Sequence, residues 1–209
     1  MERKCHSFLT PFLSYRQRLT EVTFKTSAGV VTKKIAYTYD AFDRLIAKQV
    51  DATGDGTYEL AERYVYDGSD IVLVTDETGA ITHRYLHGPA IDQIFADEQL
   101  GEDVRWALSD NQGTVRDWVV EDTTTGTTSI VDHLDYNAYG QITAHTHPQN
   151  SNQASTDGIH YAYTGREWDA DVGLGEYSGR LYEPSRINDP PSADAARLPS
   201  PGHPRQKVQ

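Results

Sequence analysis

Apolar and polar residues alternate along most of this chain. Ile35, Tyr37 and Tyr39 alternate with Ala36 and Thr38, the period of two that marks a strand with one buried face. Asp40 to Asp43 can then turn the chain, because an Asp side chain caps amides just downstream of itself, and Leu45 to Val50 returns as the next strand. Asp51-Ala52-Thr53-Gly54-Asp55-Gly56 forms a turn cluster, followed by a strand from Tyr58 to Tyr66. Asp76-Glu77-Thr78-Gly79 leads into Ile81 to Leu86, and Asp122-Thr123-Thr124-Thr125-Gly126 turns Arg116 to Glu121 toward Thr128 to Leu134. The pattern predicts a succession of antiparallel hairpins, interrupted by one short, weakly amphipathic helix over Ile91 to Leu100. Thr146 to Gly158 reads as an exposed polar loop. Pro184 to Gln209 carries too few large apolar residues to offset its ordering entropy and is predicted to be disordered.

The hairpins repeat. Tyr37-Thr38-Tyr39-Asp40-Ala41-Phe42-Asp43-Arg44-Leu45, Tyr64-Val65-Tyr66-Asp67-Gly68, Leu134-Asp135-Tyr136-Asn137-Ala138-Tyr139-Gly140 and Tyr161-Ala162-Tyr163-Thr164-Gly165-Arg166 share one outline. Tyr39 and Tyr66 stand 27 residues apart, as do Tyr136 and Tyr163 (66 − 39 = 163 − 136 = 27). Leu108-Ser109-Asp110-Asn111-Gln112-Gly113 is a weaker copy between the two halves, and Arg16-Gln17-Arg18-Leu19 a fainter one before them. A fixed period of this kind marks a repeat architecture whose units bury their faces only by stacking.

Composition narrows the function. The 209 residues include 13 Tyr, 5 Phe and 3 Trp, against one Met and one Cys, a strand-forming rather than α/β balance. Acids number 31 and bases 19, a formal charge of −12. Nucleic-acid binding is disfavoured without a basic footprint, and anionic membrane surfaces are disfavoured for the same reason. With mean hydropathy −0.62, no run approaches the ~18 apolar residues of a membrane-spanning helix. Cys5 alone provides neither an internal disulfide nor a cysteine zinc site. Phe8-Leu9-Thr10-Pro11-Phe12-Leu13 is short and broken by Pro11, so no secretory signal is expected and the compartment stays open from these residues alone.

The units resemble the YD repeat, Y-D-x-x-G-R-L, of the RHS (rearrangement hotspot) family. Trp106-Ala107-Leu108-Ser109-Asp110-Asn111-Gln112-Gly113-Thr114-Val115-Arg116 is similar to the family's W-x-L-x-D-x-x-G-S/T-x-R segment. Tyr161 to Asp169, followed by Gly173-Leu174, resembles the opening of the RHS-associated core. The motif positions matched are Tyr39, Asp40 and Arg44; Tyr66, Asp67 and Gly68; Asp110, Gly113 and Arg116; Tyr136 and Gly140; and Tyr163, Gly165, Arg166, Glu167 and Asp169. The core pattern then decays: Gly175 and Glu176 replace two Tyr, Ser178 an Arg, Leu181 a Tyr and Glu183 an Asp. The resemblance divides the chain into an unmatched segment (1–14), a YD-repeat sheet (15–158), the start of a degenerate core (159–183) and a tail (184–209).

The resemblance implies an all-β fold, a continuous sheet strip forming part of a shell. It implies a non-catalytic structural role in enclosing or displaying a C-terminal toxin, or in cell-surface contact. The remainder of the shell and its toxin cargo are the implied partners, and a secreted or cell-surface location is implied too. No cofactor is expected. Because the pattern starts and stops abruptly, the chain is expected to be a piece of a larger protein, self-associating through open sheet edges. Two other classes stand beside this reading: a secreted carbohydrate- or cell-binding module, and the remnant of an aspartyl self-cleaving core with Glu183 and Asp189 as its acids.

Other candidate chemistry is weaker. Asp51, Asp55 and Glu59 around Gly54 and Gly56 resemble a calcium loop but lack its alternating ligands, and a plain hairpin turn is expected. His83 and His87 are four apart on a strand, about 13 Å, and His145 and His147 have no acid beside them in sequence, so no metal site is expected. There is no G-x-S-x-G nucleophile elbow, P-loop or dinucleotide fingerprint. Trp106, Trp118 and Trp168 are expected to pack between strands rather than form a sugar platform.

Overall fold

The computed structural model describes residues 8–16, 18–146, 159–176 and 181–182. Twelve strands occupy the first two of these stretches. They are β1 (Phe8–Leu13), β2 (Leu19–Lys25), β3 (Val31–Tyr39), β4 (Leu45–Asp51), β5 (Leu60–Asp67) and β6 (Asp70–Thr75), then β7 (Ile81–His87), β8 (Ile94–Gln99), β9 (Arg105–Ser109), β10 (Val115–Asp122), β11 (Thr127–Tyr136) and β12 (Ile142–Thr146). All lie in one antiparallel sheet whose spatial order is the chain order. The all-β fold and the continuous strip of hairpins agree with the sequence pattern. Among the described residues β1 and β12 each pair on one side only.

The repeating Asp forms the turn. The Asp40 carboxylate accepts from the amides of Phe42 (2.8 Å) and Arg44 (3.0 Å), while the Asp40 amide donates to the Arg44 carbonyl. Asp110 does the same with Gln112 and Thr114, Asp76 with Thr78 and Ala80, and Asn137 with Tyr139 and Gln141. The fourth residue of each turn takes positive φ, at Asp43, Gly79, Gly113 and Gly140. This is a type I turn with a bulge, and the strand register shifts beside each one. Asp67 heads a different turn, the two residues Gly68-Ser69 joining β5 to β6.

The expected helix over Ile91 to Leu100 is a strand. Ile94, Ala96 and Asp97 are buried along β8 while Phe95 is exposed, and pairing with β7 over five residues outweighs weak helical periodicity. The predicted loop also starts later, since Thr146 belongs to β12; residues 147–158 and the tail 184–209 lie outside the described residues.

One face of the strip is buried by the chain's own later segment. A single 3₁₀ turn, Tyr163–Gly165, precedes a small sheet of β13 (Trp168–Asp169), β14 (Leu174–Glu176) and β15 (Leu181–Tyr182). Ile159 and Tyr161 join a core of Ile71, Val74, Tyr85, Ile94, Val115, Trp118 and Leu134. Val172 and Leu174 pack on a second core of Leu19, Val22, Ile35, Tyr37 and Val50. The opposite face carries a cross-strand row of Leu86, Ala96, Trp106, Val119 and Ile130, in which Trp106 is 44% exposed.

Candidate functional site

The segment from 159 to 176 meets the strip around a cavity of about 270 Å³. Its walls come from β3 (Tyr37, Tyr39), β4 (Lys48), β5 (Glu62, Tyr64, Tyr66), β7 (Tyr85) and the covering segment (His160, Tyr161, Glu167 to Asp171 and Glu176). The aromatic lining follows from the repeat. Tyr residues at every second position of β3 and β5 point to one face, and the period sets their rows side by side.

Charges at one end of the cavity are matched. Lys48 donates to Asp169 at 2.7 Å and lies 2.6 Å from Asp171, which Lys33 also bonds, and the Tyr37 hydroxyl donates to Asp169 at 2.7 Å. Burial alone would lower the Lys48 pKa, but the two carboxylates outweigh it and hold the ammonium charged. Burial, and next the Asp169 charge, push the Tyr37 hydroxyl far above its ordinary value. At the other end Glu167 and Glu176 face each other across the pairing that joins β13 to β14, with the Glu176 amide donating to the Glu167 carbonyl at 2.9 Å. Burial first, and the Glu176 carboxylate second, raise Glu167 to about 7. His160 is lowered by burial, and its ring centroid lies 4.8 Å from that of His83.

The motif residues fall into two groups. The first ties turn to turn. Arg44 pairs with Asp40 at 2.7 Å and lies over the Tyr66 ring at 4.9 Å, while the Tyr66 hydroxyl donates to the Leu45 carbonyl at 2.8 Å. Asp110, Arg116 and Tyr136 repeat this: the ion pair is 3.2 Å, the ring distance 5.3 Å, and the Tyr136 hydroxyl donates to Val115 at 2.8 Å. Tyr39 has Arg18 over its ring at 5.1 Å. Burial is the largest single effect and opposes it, but backbone amides and the neighbouring guanidinium together hold Asp40 and Asp110 below their ordinary pKa.

The second group docks the core motif. The Tyr163 ring packs over Gly140, where a Cβ would stand 2.4 Å from it. Gly165 has φ +70°, and a Cβ there would stand 1.9 Å from the Asp92 carbonyl oxygen. Arg166 bonds Asp92 at 2.8 Å, and the Val115 amide donates to the Ala162 carbonyl. A Gly is therefore required at both ends of this contact.

The remaining candidates separate. Asp51 accepts from the amides of Gly54 and Gly56, and Glu59 from the Ala52 amide and the Thr53 hydroxyl. Their carboxylates and that of Asp55 lie within 4.8 Å of one another, close enough to share a cation. His83 bonds Asp97 and His87 bonds the Ile71 carbonyl, so the two do not converge. His145 does have an acid beside it, across the sheet: Asp132 at 2.7 Å. Sequence spacing could not reveal this partner, because strand register supplies it. Trp118 is 3% exposed in the core and Trp168 lines the cavity, so the three Trp form no common platform. Glu183, Asp189 and His147 lie outside the described residues. The cavity itself and the Glu167–Glu176 apposition were not evident from spacing; the signal was the chain of Tyr rows converging on an acidic core motif.

No family model matches the chain, and no curated protein matches it. Solved structures do. The chain is similar to one in the crystal structure of TcdB2-TccC3-TEV (TM-score 0.57, 20% identity), over 84% of this chain and 8% of that one. TcdB2-TccC3 without its hypervariable C-terminal region gives TM-score 0.57 and 21% identity, again over 84% of this chain and 8% of the other. The Photorhabdus luminescens Tc holotoxin pore carrying the TccC3-D651A mutation gives 0.56 and 20%, over the same shares. The class defined is thus an all-β repeat strip with an RHS-like fold. The particular neighbours are Tc toxin chains, of which this chain spans about one-twelfth.

Proposed function

We propose that this chain is a non-catalytic wall segment of an RHS-type β-shell that encloses or displays a toxin outside the producing cell. In this reading residues 15–158 are wall, 159–183 begin the core that closes it, and the YD-motif residues are ties and docking points. The observation that carries it is the topology: twelve strands in strict chain order, covered on one face by the segment bearing the core motif. Such a strip extends by adding hairpins at its edges, as a segment of a larger wall must. The test is to exchange the matched stretch of a TcdB2-TccC3 chain for this chain and image the product. A closed shell is expected, and an open or unfolded wall refutes the reading.

One observation favours a second reading, a carbohydrate- or cell-binding module: Trp106 is exposed within an apolar row. Glycan binding that changes Trp fluorescence and disappears in Trp106→Ala supports it, and no response across a glycan array removes it.

A further inference from the structure

At the charge-matched end of the cavity one lysine stands between two aspartates. Lys48 belongs to β4 and is 8% exposed. Its Nζ lies 2.7 Å from Asp169 Oδ1 and 2.6 Å from Asp171 Oδ2. The other Asp169 oxygen, Oδ2, accepts from the Tyr37 hydroxyl at 2.7 Å. The Asp171 amide donates to Asp169 Oδ1 at 3.0 Å. The Asp169 carboxyl is thus fixed at both oxygens, with one of them turned to the amine.

Such a contact can do more than attract. A buried ion pair carries a large desolvation cost. Moving one proton from the ammonium to the carboxylate replaces the two charges by two neutral groups, which burial favours. An amine bonded to a carboxyl oxygen is then close to the near-attack separation of about 3–3.5 Å from the carboxyl carbon. Fixed geometry of this kind substitutes for a very high concentration of free amine.

We propose that Lys48 and Asp169 join in an intramolecular isopeptide bond, with Asp171 as proton shuttle and Tyr37 as the donor that steadies the carbonyl oxygen. At rest Lys48 is an ammonium. One Nζ proton passes to Asp169 Oδ1, leaving a free amine and a carboxylic acid. Nζ attacks Cγ, and the negative charge that develops on Oδ2 is met by the Tyr37 hydroxyl. Asp171 takes a second proton from Nζ and gives it to the Oδ1 hydroxyl. The Cγ–Oδ1 bond breaks, one water leaves, Oδ2 becomes the amide carbonyl oxygen and the third proton stays on the amide nitrogen. Nothing is oxidised or reduced, and no co-reactant is needed. Against burial, Lys48 and Lys33 hold Asp171 ionised, and Lys33 remains to do so once Lys48 is neutral. The bond ties β4 to the covering segment across 121 residues of chain. This inference concerns one contact and does not rest on the shell reading, because it needs no neighbouring wall.

The test is the intact mass of the purified full chain, unfolded in denaturant after incubation at neutral pH. The chain is expected to be lighter than its sequence by one water, and trypsin should yield a branched peptide joining residues 45–63 to 167–180. Lys48→Arg and Asp169→Ala should keep their full mass. Asp171→Asn and Tyr37→Phe should slow closure by about tenfold or more, so that unreacted chain is still present at isolation. A succinimide at Asp55-Gly56 would also release water, but its peptide is not branched, and that outcome counts against the proposal. A wild-type chain at full mass, a loss of water retained in Lys48→Arg, or complete closure in Asp171→Asn overturns it. The wild-type mass needs no variant, so it decides the matter even where a variant fails to fold.

Discussion

Arg44 lies over the ring of Tyr66 at 4.9 Å while holding Asp40 at 2.7 Å, so one guanidinium ties its own turn to the next hairpin. The Asp110–Arg116–Tyr136 set repeats that tie farther along the strip. The D, R and following Y of the repeat are thus parts of one clip, which explains why they recur together.

Arg44→Ala is expected to destabilise the chain by about 1 kcal/mol, the worth of a partly exposed cation–π contact with a weak ion pair. Arg44→Lys should recover only part of it, since an ammonium lacks the planar stacking surface. Urea unfolding measures both, and equal stability of all three chains contradicts the clip.

Gly165→Ala should be far more damaging than Gly79→Ala. Both positions have positive φ, but a Cβ at Gly79 meets nothing within 4 Å, whereas at Gly165 it meets the Asp92 carbonyl oxygen at 1.9 Å. About 1 kcal/mol is expected at Gly79 and 3 kcal/mol or more at Gly165. Proteolysis should then cut the 159–176 segment in the Gly165 variant first. Similar losses at the two sites would refute the docking geometry.

Trp118→Ala should cost about 3–5 kcal/mol, as for a large aromatic removed from a packed core, because Trp118 is 3% exposed. Trp106→Ala should cost under about 1 kcal/mol, being on the open face. The two melting temperatures decide the order.

The pH dependence of stability should reveal Glu167. Its folded pKa of about 7 lies above the ordinary 4.5, so the folded chain holds the proton more tightly than the unfolded one. That contribution is full below pH 4.5 and is lost as pH rises through about 7. The groups around it are Glu176, Arg166, Asp92, Tyr66, Tyr161 and Tyr85. His160, lowered by burial, works in the opposite sense and favours the folded state as pH rises. The informative quantity is therefore the difference between wild type and Glu167→Gln. The wild type should lose about 2 kcal/mol relative to the variant from acid to mildly alkaline pH, allowing for partial exposure. Parallel pH profiles would contradict it.

Self-association through β1 and β12 should make the sedimenting mass rise with concentration. Phe12→Lys, at an edge residue 49% exposed, should shift the chain toward monomer. A monomer at every concentration contradicts open edges.

Strand positions and turns were legible because both depend on local chemistry: alternation fixes the strand faces, and each Asp caps its own turn. The apolar spacing of the Ile91 to Leu100 stretch fits two periods, and only pairing with β7 decides between them. His145–Asp132 and Lys48–Asp169 were hidden for a related reason. Their partners lie across the sheet or 121 residues away, at a separation no local pattern encodes. The cavity belongs to the same category, since it exists only once the covering segment is laid on the tyrosine rows.

Each hairpin of the strip borders only its two neighbours, and arrays built this way fray link by link. The 159–176 segment changes that behaviour. Through Asp169 and Asp171 it grips β3 and β4, and through Tyr163 and Gly165 it grips the turns at Gly140 and Asp92. Hairpins with no direct border are thereby made to melt together. A zipper becomes a bolted plate, in which damage at one end is felt at the other.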